Sequence, residues 1–296
     1  MELRLLKYFI AVAEELHFGR AASRLQMAQP PLSIQIKQLE TEIGAKLFNR
    51  TKRNVELTEA GKVFLNRSYE ILSSVNRASE EARRIHEGVI GELILGFGGS
   101  ATFDLLPFIL KEYRDKYPNV NIVLRQQTTT KQVNDLHEGK IHVGILVPPI
   151  ESELLDVEIL REEPFIVVLP KTHPLITSGL SINLSRLAGE PFIMSPRSVG
   201  PGYYDSVISS CYDAGFSPKI AQEAQEFHTI VSLVAFGLGV ALVPKSIQFL
   251  KNENVIYMPL EKSYTKKTAL AWNKNKTSPV VDSFIEFIRQ LQIPNT

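Results

Sequence analysis

The sequence predicts an α/β chain with an all-α helix-turn-helix head, a long linker helix and a two-lobed α/β remainder. Three observations carry that expectation. Residues 18–50 pattern as two short helices around a tight connection, followed by a basic exit. Residues 59–86 place apolar side chains at alternating steps of four and three. From Gly91 onward, short β-rich runs alternate with helical ones.

In the first short helix Phe18, Ala21, Ala22 and Leu25 recur at i, i+3, i+4 and i+7, a narrow face of small residues that allows close packing. The second opens at Gln29-Pro30-Pro31, where proline suits a helix's first turn, buries Leu32, Ile36, Leu39 and Ile43, and stops at Gly44. At about 100° per residue the opposite side belongs to Pro30, Ile34, Lys37 and Thr41, with Ser33 at its edge. Such a surface behind a compact helix pair fits a helix that reads base edges in a DNA major groove. Ile34 can touch thymine methyl groups there but cannot hydrogen-bond, and Lys37 suits a phosphate. The helix pattern alone equally suits an αα-hairpin inside some other domain.

The string Leu3-Arg4-Leu5-Leu6-Lys7-Tyr8-Phe9, Phe18-Gly19-Arg20-Ala21-Ala22, Gln29-Pro30-Pro31-Leu32-Ser33, Leu39-Glu40, Gly44, Leu47-Phe48 and Leu57-Thr58-Glu59-Ala60-Gly61 strongly resembles the amino-terminal domain of the LysR-type transcriptional regulators. The resemblance implies a winged helix-turn-helix over residues 1–58, with Gln29, Pro30, Ser33, Ile34 and Lys37 toward double-stranded DNA. Many relatives carry arginine where Ile34 stands, so their base contacts do not transfer to this position. The resemblance also makes residues 46–53 a wing. Asn49-Arg50-Thr51-Lys52-Arg53-Asn54 supplies turn formers between Leu47-Phe48 and Val55-Leu57. Arg50, Lys52 and Arg53 would meet phosphates, with an affinity that weakens as salt rises.

Thr58 can cap the linker helix, placed at residues 59–87, and Gly88 can stop it. Phe64, Ser68, Ile71, Val75, Ala78, Ala82 and Ile85 form a heptad seam along a helix about 40 Å long. A seam of that length needs a partner, either the chain's own carboxy-terminal domain or the same helix of a second copy. The family resemblance implies the second copy, with Phe64, Ile71, Val75, Ala78, Ala82 and Ile85 at the contact, a two-fold symmetric DNA site, and a dimer or tetramer as the assembly.

Composition agrees with this organisation. The 296 residues carry a formal charge of +1, but residues 1–90 hold 14 Lys and Arg against 11 acidic residues, leaving −2 for the rest. Cys211 is the single cysteine, which excludes an intrachain disulfide and a cysteine-based zinc site. No signal peptide precedes the first patterned helix and no apolar run approaches the roughly 20 residues of a membrane span, so a cytoplasmic location without membrane contact is expected.

The remainder is placed at residues 91–296, with one lobe at 91–161 plus 268–296 and the other at 162–267. Leu93-Ile94-Leu95-Gly96-Phe97, Val120-Asn121-Ile122-Val123-Leu124 and Ile141-His142-Val143-Gly144-Ile145-Leu146 read as strands of the first lobe, with helices near residues 105–117 and 131–138. A second series runs from Pro164-Phe165-Ile166-Val167-Val168-Leu169 through Phe192-Ile193-Met194 and a helix at 204–214 to Gly239-Val240-Ala241-Leu242-Val243. The family's effector domain resembles a periplasmic binding protein, and this layout agrees with it.

Gly96-Phe97-Gly98-Gly99-Ser100-Ala101 satisfies G-x-G-x-x-A after a strand and before a helix, as a dinucleotide-binding turn should. The ribose-binding acid expected about 20 residues on is missing, since the second strand closes at Leu124-Arg125-Gln126-Gln127; Arg125 could suit a 2′-phosphate. No cofactor is expected. Helix starts at residues 98–100, 128–130 and 200–203 offer amides and hydroxyls that attract anions. Similarity to family members that sense benzoate- or muconate-type acids implies a small carboxylate effector, with Ser100 and Thr129 at its carboxylate, Gly99 in the same site at the helix start, and Pro201, Gly202 and Tyr203 across the cleft. Ser100 and the threonines are also ordinary helix caps. The opening residues and Gly96-Phe97-Gly98-Gly99-Ser100-Ala101-Thr102 look most like regulators of acetoin formation, which answer to acetate.

Catalysis has little support. The six histidines show no metal-ligand spacing, no G-x-S-x-G elbow or P-loop occurs, and no metal is expected. The expected function is a transcriptional regulator with DNA, a small carboxylate and further copies of itself as partners, and RNA polymerase as a further candidate. An NAD(P)-dependent enzyme with a DNA-binding head, or an architectural DNA binder without an effector, are the alternatives.

Overall fold

The computed structural model describes residues 1–51, 54–176 and 181–294, so Lys52 and Arg53, expected to meet phosphates from the wing, lie outside the described residues. The chain divides into two compact units, Met1–Arg84 and Ile85–Thr296.

In the first unit α1 (Leu3–Glu15), α2 (Phe18–Arg24) and α3 (Gln29–Ile43) close over Leu5, Phe9, Val12, Phe18, Leu32, Ile36 and Leu39, with Ala21 and Ala22 letting the backbones approach. The sequence missed the cap of α2: His17 Nδ1 accepts the N–H groups of Gly19 (3.0 Å) and Arg20 (3.2 Å). Gly44 ends α3 at φ +77°, a left-handed conformation that favours glycine. The strands β1 (Phe48–Arg50) and β2 (Val55–Leu57) pair antiparallel as the hairpin expected there.

Thr58 caps α4 (Glu59–His86) by accepting the Gly61 N–H at 2.9 Å. A β-carbon on Gly61 would stand 2.2 Å from the Leu47 carbonyl oxygen, so only glycine lets the helix start press against the strand. The heptad seam divides here. Phe64 turns into the head, edge-on to Phe9 at 5.1 Å between ring centroids, and Ser68 is buried with its hydroxyl on the Phe64 carbonyl. Phe64, expected at the contact with a second copy, is half-buried and also packs within the head. The exposed seam begins at Ile71 and continues through Val75, Ala78, Ala82 and Ile85.

The second unit opens with β3 (Gly91–Phe97), a 3-10 turn at Gly99–Phe103, α5 (Leu105–Lys116), β4 (Val120–Gln126), α6 (Thr129–Glu138) and β5 (Val143–Leu146). It continues through β6 (Leu155–Pro170), β7 (Pro191–Met194), α7 (Pro201–Asp213), β8 (Lys219–Glu223), α8 (Phe227–Ala235), β9 (Ala241–Pro244), β10 (Val255–Pro259), β11 (Thr265–Asn273) and α9 (Pro279–Gln290). One lobe orders its strands β4-β3-β5-β11-β6, with β3 parallel to β4 and β5 and with β11 antiparallel to β5 and β6. Beyond its pairing with β11, β6 takes β10 on one edge and β9 on the other, so the same strand founds the second lobe. Phe165, Val167 and Leu169 face one apolar cluster there and Ile166 and Val168 the other, which is why the run reads as continuously hydrophobic.

Two sequence expectations change. The strand expected from Pro164 starts at Leu155, because Asp156, Glu158, Arg161, Glu162 and Glu163 hide its period; Arg161 and Glu163, two apart and thus on one face, point inward. The helix expected directly after Gly98 is a 3-10 turn, broken at Asp104 before α5, whose first N–H bonds to the Asp104 carboxylate at 2.6 Å.

Candidate DNA-reading face and effector cleft

On α3, Leu32, Ile36 and Leu39 are fully buried, while Gln29, Pro30, Ile34, Lys37 and Thr41 are exposed and Ser33 is half-buried. Ile34 is 64 % exposed, large for an isoleucine with a core one turn away. Glu40, on the inward side, is the functional residue that sequence reasoning left unexplained. Its carboxylate is buried and accepts the backbone N–H groups of Leu47 (2.9 Å) and Phe48 (3.2 Å), while its other oxygen takes the Arg50 guanidinium at 2.9 Å. Arg50, expected to meet phosphate, is thus held within the head, and it also stacks over the Phe18 ring at 4.7 Å. The clue in the sequence was an acid in register with the apolar stripe of α3.

A cavity of about 280 Å³ opens between the lobes of the second unit. Four chain segments start on it: the 3-10 turn with Gly98, Gly99 and Ser100, α6 with Thr128 and Thr129, α7 with Gly200 and Tyr203, and α8 with Glu226 and Phe227. The sequence foresaw three of these and missed α8. Thr128 caps α6 by accepting the Lys131 N–H at 3.2 Å, which leaves Thr129 beside Gly200 of the other lobe. Three α-helical amino termini converge on the cavity and each brings a partial positive charge, opposed by the Glu226 carboxylate at the start of α8. Val147, Val199, Tyr203 and Phe227 supply apolar wall.

The lobe-II residues differ from expectation. Gly202 and Pro201 do not line the cavity; a β-carbon on Gly202 would meet the Pro148 carbonyl oxygen at 2.2 Å, so its role is close packing of α7 against the loop. Tyr203 presents its ring but not its hydroxyl, which donates to the Leu242 carbonyl at 2.7 Å; burial holds that phenol well above its usual range. Arg197 and Asp205 pair through two 2.8 Å bonds and pin the loop that carries Val199 and Gly200.

Behind Ser100 lies a buried charge network. Lys266 Nζ donates to Ser100 Oγ at 3.1 Å and to Thr268 Oγ1 at 2.9 Å, and sits 3.6 Å from Glu163. Glu163 also bonds Arg161 at 2.5 Å and accepts from Ser246 at 3.1 Å, while Arg161 grips Asp104 through two bonds of 2.6 and 2.8 Å. Burial pulls the Lys266 ammonium below its ordinary value, and Glu163 opposes that. Two cations and two carboxylates balance, and Ser100 is their outlet to the cavity.

An exposed helix face on one unit and a small, partly open cleft between the α/β lobes of the other suit a DNA-binding protein with a ligand-binding domain. Residues 3–62 match the family described as "Bacterial regulatory helix-turn-helix protein, lysR family", and residues 86–292 match "LysR substrate binding domain". The chain belongs to the LysR family of transcriptional regulators, with a helix-turn-helix DNA-binding unit and an effector-binding domain. It is 45% identical to the HTH-type transcriptional regulator AlsR of Bacillus subtilis (strain 168), over 96% of this chain and 94% of that protein. The crystal structure of CbnR, a LysR family transcriptional regulator, superposes with a TM-score of 0.88 at 28% identity, covering 98% of this chain and 100% of that one. Full-length CbnR complexed with its target DNA gives 0.82 at 27% identity, over 98% and 99% of the two chains. Among the described residues, no helix is long and apolar enough to cross a membrane.

Proposed function

We propose that this regulator works in the cytoplasm and is controlled by a small carboxylate bound between its lobes, on Ser100, Gly99 and Thr129, against the Tyr203 ring. The observation that carries this is the convergence of three α-helical amino termini and the Lys266-backed Ser100 hydroxyl on one small cavity. The volume falls just below the roughly 300–1,000 Å³ of drug-sized sites, which favours a compact acid. The sequence resemblance to regulators answering acetate and benzoate-type acids points the same way.

In this reading Pro30, Ser33, Ile34 and Lys37, with Gln29 at the helix start, enter a major groove, and the exposed seam from Ile71 to Ile85 packs on a second copy. The effector acts by preferring one arrangement of the assembly, since a ligand that binds both equally shifts nothing.

Thermal denaturation across acetate, benzoate, muconate and NAD(P)H, followed by DNase footprinting with each hit, tests it. A bound acid at about 100 times its Kd adds roughly 2.7 kcal/mol. At about 2–4 °C per kcal/mol for a unit of this size, a shift of roughly 5–10 °C and an altered footprint are expected. A shift with NAD(P)H alone, or with none of these compounds, rejects the reading.

A further inference from the structure

We infer that Lys266 is a positioning residue of the cleft: it fixes the Ser100 hydroxyl as a hydrogen-bond donor toward the cavity, so the ligand group seated there has to be an acceptor. This role for Lys266 rests on the cleft being a carboxylate site. Lys266 does not line the cavity and is 2 % exposed, whereas Ser100 lines it. An ammonium carries three N–H donors and no acceptor. Lys266 Nζ donates to Ser100 Oγ at 3.1 Å and to Thr268 Oγ1 at 2.9 Å, and Glu163 Oε1 lies 3.6 Å away as its counter-charge.

The direction of the serine proton follows. Because Lys266 can only donate, Ser100 Oγ accepts from it and the serine's own O–H has to point elsewhere. Among the described residues that hydroxyl has no second partner. It does not bond back to a carbonyl of its own turn, as the hydroxyls of Ser206 and Ser210 do on α7. Its proton is left for the cavity, where a carboxylate oxygen accepts it, while a ligand N–H in the same place would strand it. The donation from Lys266 also polarises the hydroxyl and strengthens it as a donor to an anion.

Titration calorimetry of the full chain with acetate, benzoate and muconate, each beside the primary amide of the same skeleton, tests this. Wild type is expected to favour the acid it binds best over the matching amide by about tenfold or more. Lys266→Met, similar in length and without a donor, frees the serine to accept as well as donate. It is expected to cut that preference at least about tenfold by weakening the acid, with amide affinity held within about threefold. In a Ser100→Ala background the same substitution should move acid affinity by less than about threefold, since its effect runs through the hydroxyl. Where Lys266→Met fails to fold, Glu163→Gln/Lys266→Met, which removes both charges of the pair, takes its place with the same expectations. Acid and amide weakened alike by loss of Lys266, an equal loss without the Ser100 hydroxyl, or amide bound by wild type as tightly as acid overturns the role of Lys266 and leaves the carboxylate site standing. Binding of none of the three acids by wild type overturns the site and the role together.

Discussion

Replacing Glu163 by alanine is expected to destabilise the second unit by about 3–5 kcal/mol, because it leaves buried cations without their shared counter-charge. Glu163 is 1 % exposed and holds Arg161, Lys266 and the Ser246 hydroxyl at once. Arg161 keeps Asp104, but Lys266 keeps only two hydroxyls. The thermal midpoint of that unit should fall by roughly 6–20 °C at about 2–4 °C per kcal/mol. Glu163→Gln retains the shape and the Ser246 partner and should lose about half as much. Calorimetric scans of the three proteins check this, and a midpoint unmoved in Glu163→Ala would mean that water or a rearranged Asp104 replaces the carboxylate.

The head carries the counterpart. Glu40→Ala strips two buried backbone N–H groups, those of Leu47 and Phe48, of their acceptor and frees the Arg50 guanidinium. Each stranded donor costs about 1–3 kcal/mol, so a loss of roughly 2–6 kcal/mol is expected, a large share of a small unit's stability. The connection from α3 into the hairpin depends on these bonds, and duplex affinity at a footprinted site should therefore drop more than about tenfold. Urea unfolding followed by circular dichroism, with anisotropy on the labelled duplex, measures both. Wild-type stability together with wild-type affinity would show that Glu40 merely fills space.

Much of this was legible beforehand, and the failures share a cause. Periodicity located α2 and α3 because their buried residues are apolar at helical spacing, and the caps Thr58 and Gly44 follow local rules. Ser100 and Thr129 were visible as hydroxyls at segment starts, and both line the cavity. What escaped was charge inside the core. Glu40, Arg161, Glu163 and Lys266 are all buried, and a lone acid or base carries no sign of a partner far away in sequence. The acceptor of the Tyr203 hydroxyl was hidden for the same reason, since it lies 39 residues on, at Leu242. Lobe-to-lobe contacts such as Gln126 with Glu226 are set by topology, which local pattern does not encode.

Binding of a carboxylate at Ser100 is the claim on which control of this regulator rests, and calorimetric titration of wild type and Ser100→Ala with the strongest acid from the thermal screen tests it most directly. Wild type should give one saturable site, and Ser100→Ala should weaken it at least about tenfold while duplex affinity stays within about twofold, since one charge-assisted hydrogen bond is worth about 1.5–3 kcal/mol. Superimposable isotherms for the two proteins would contradict it.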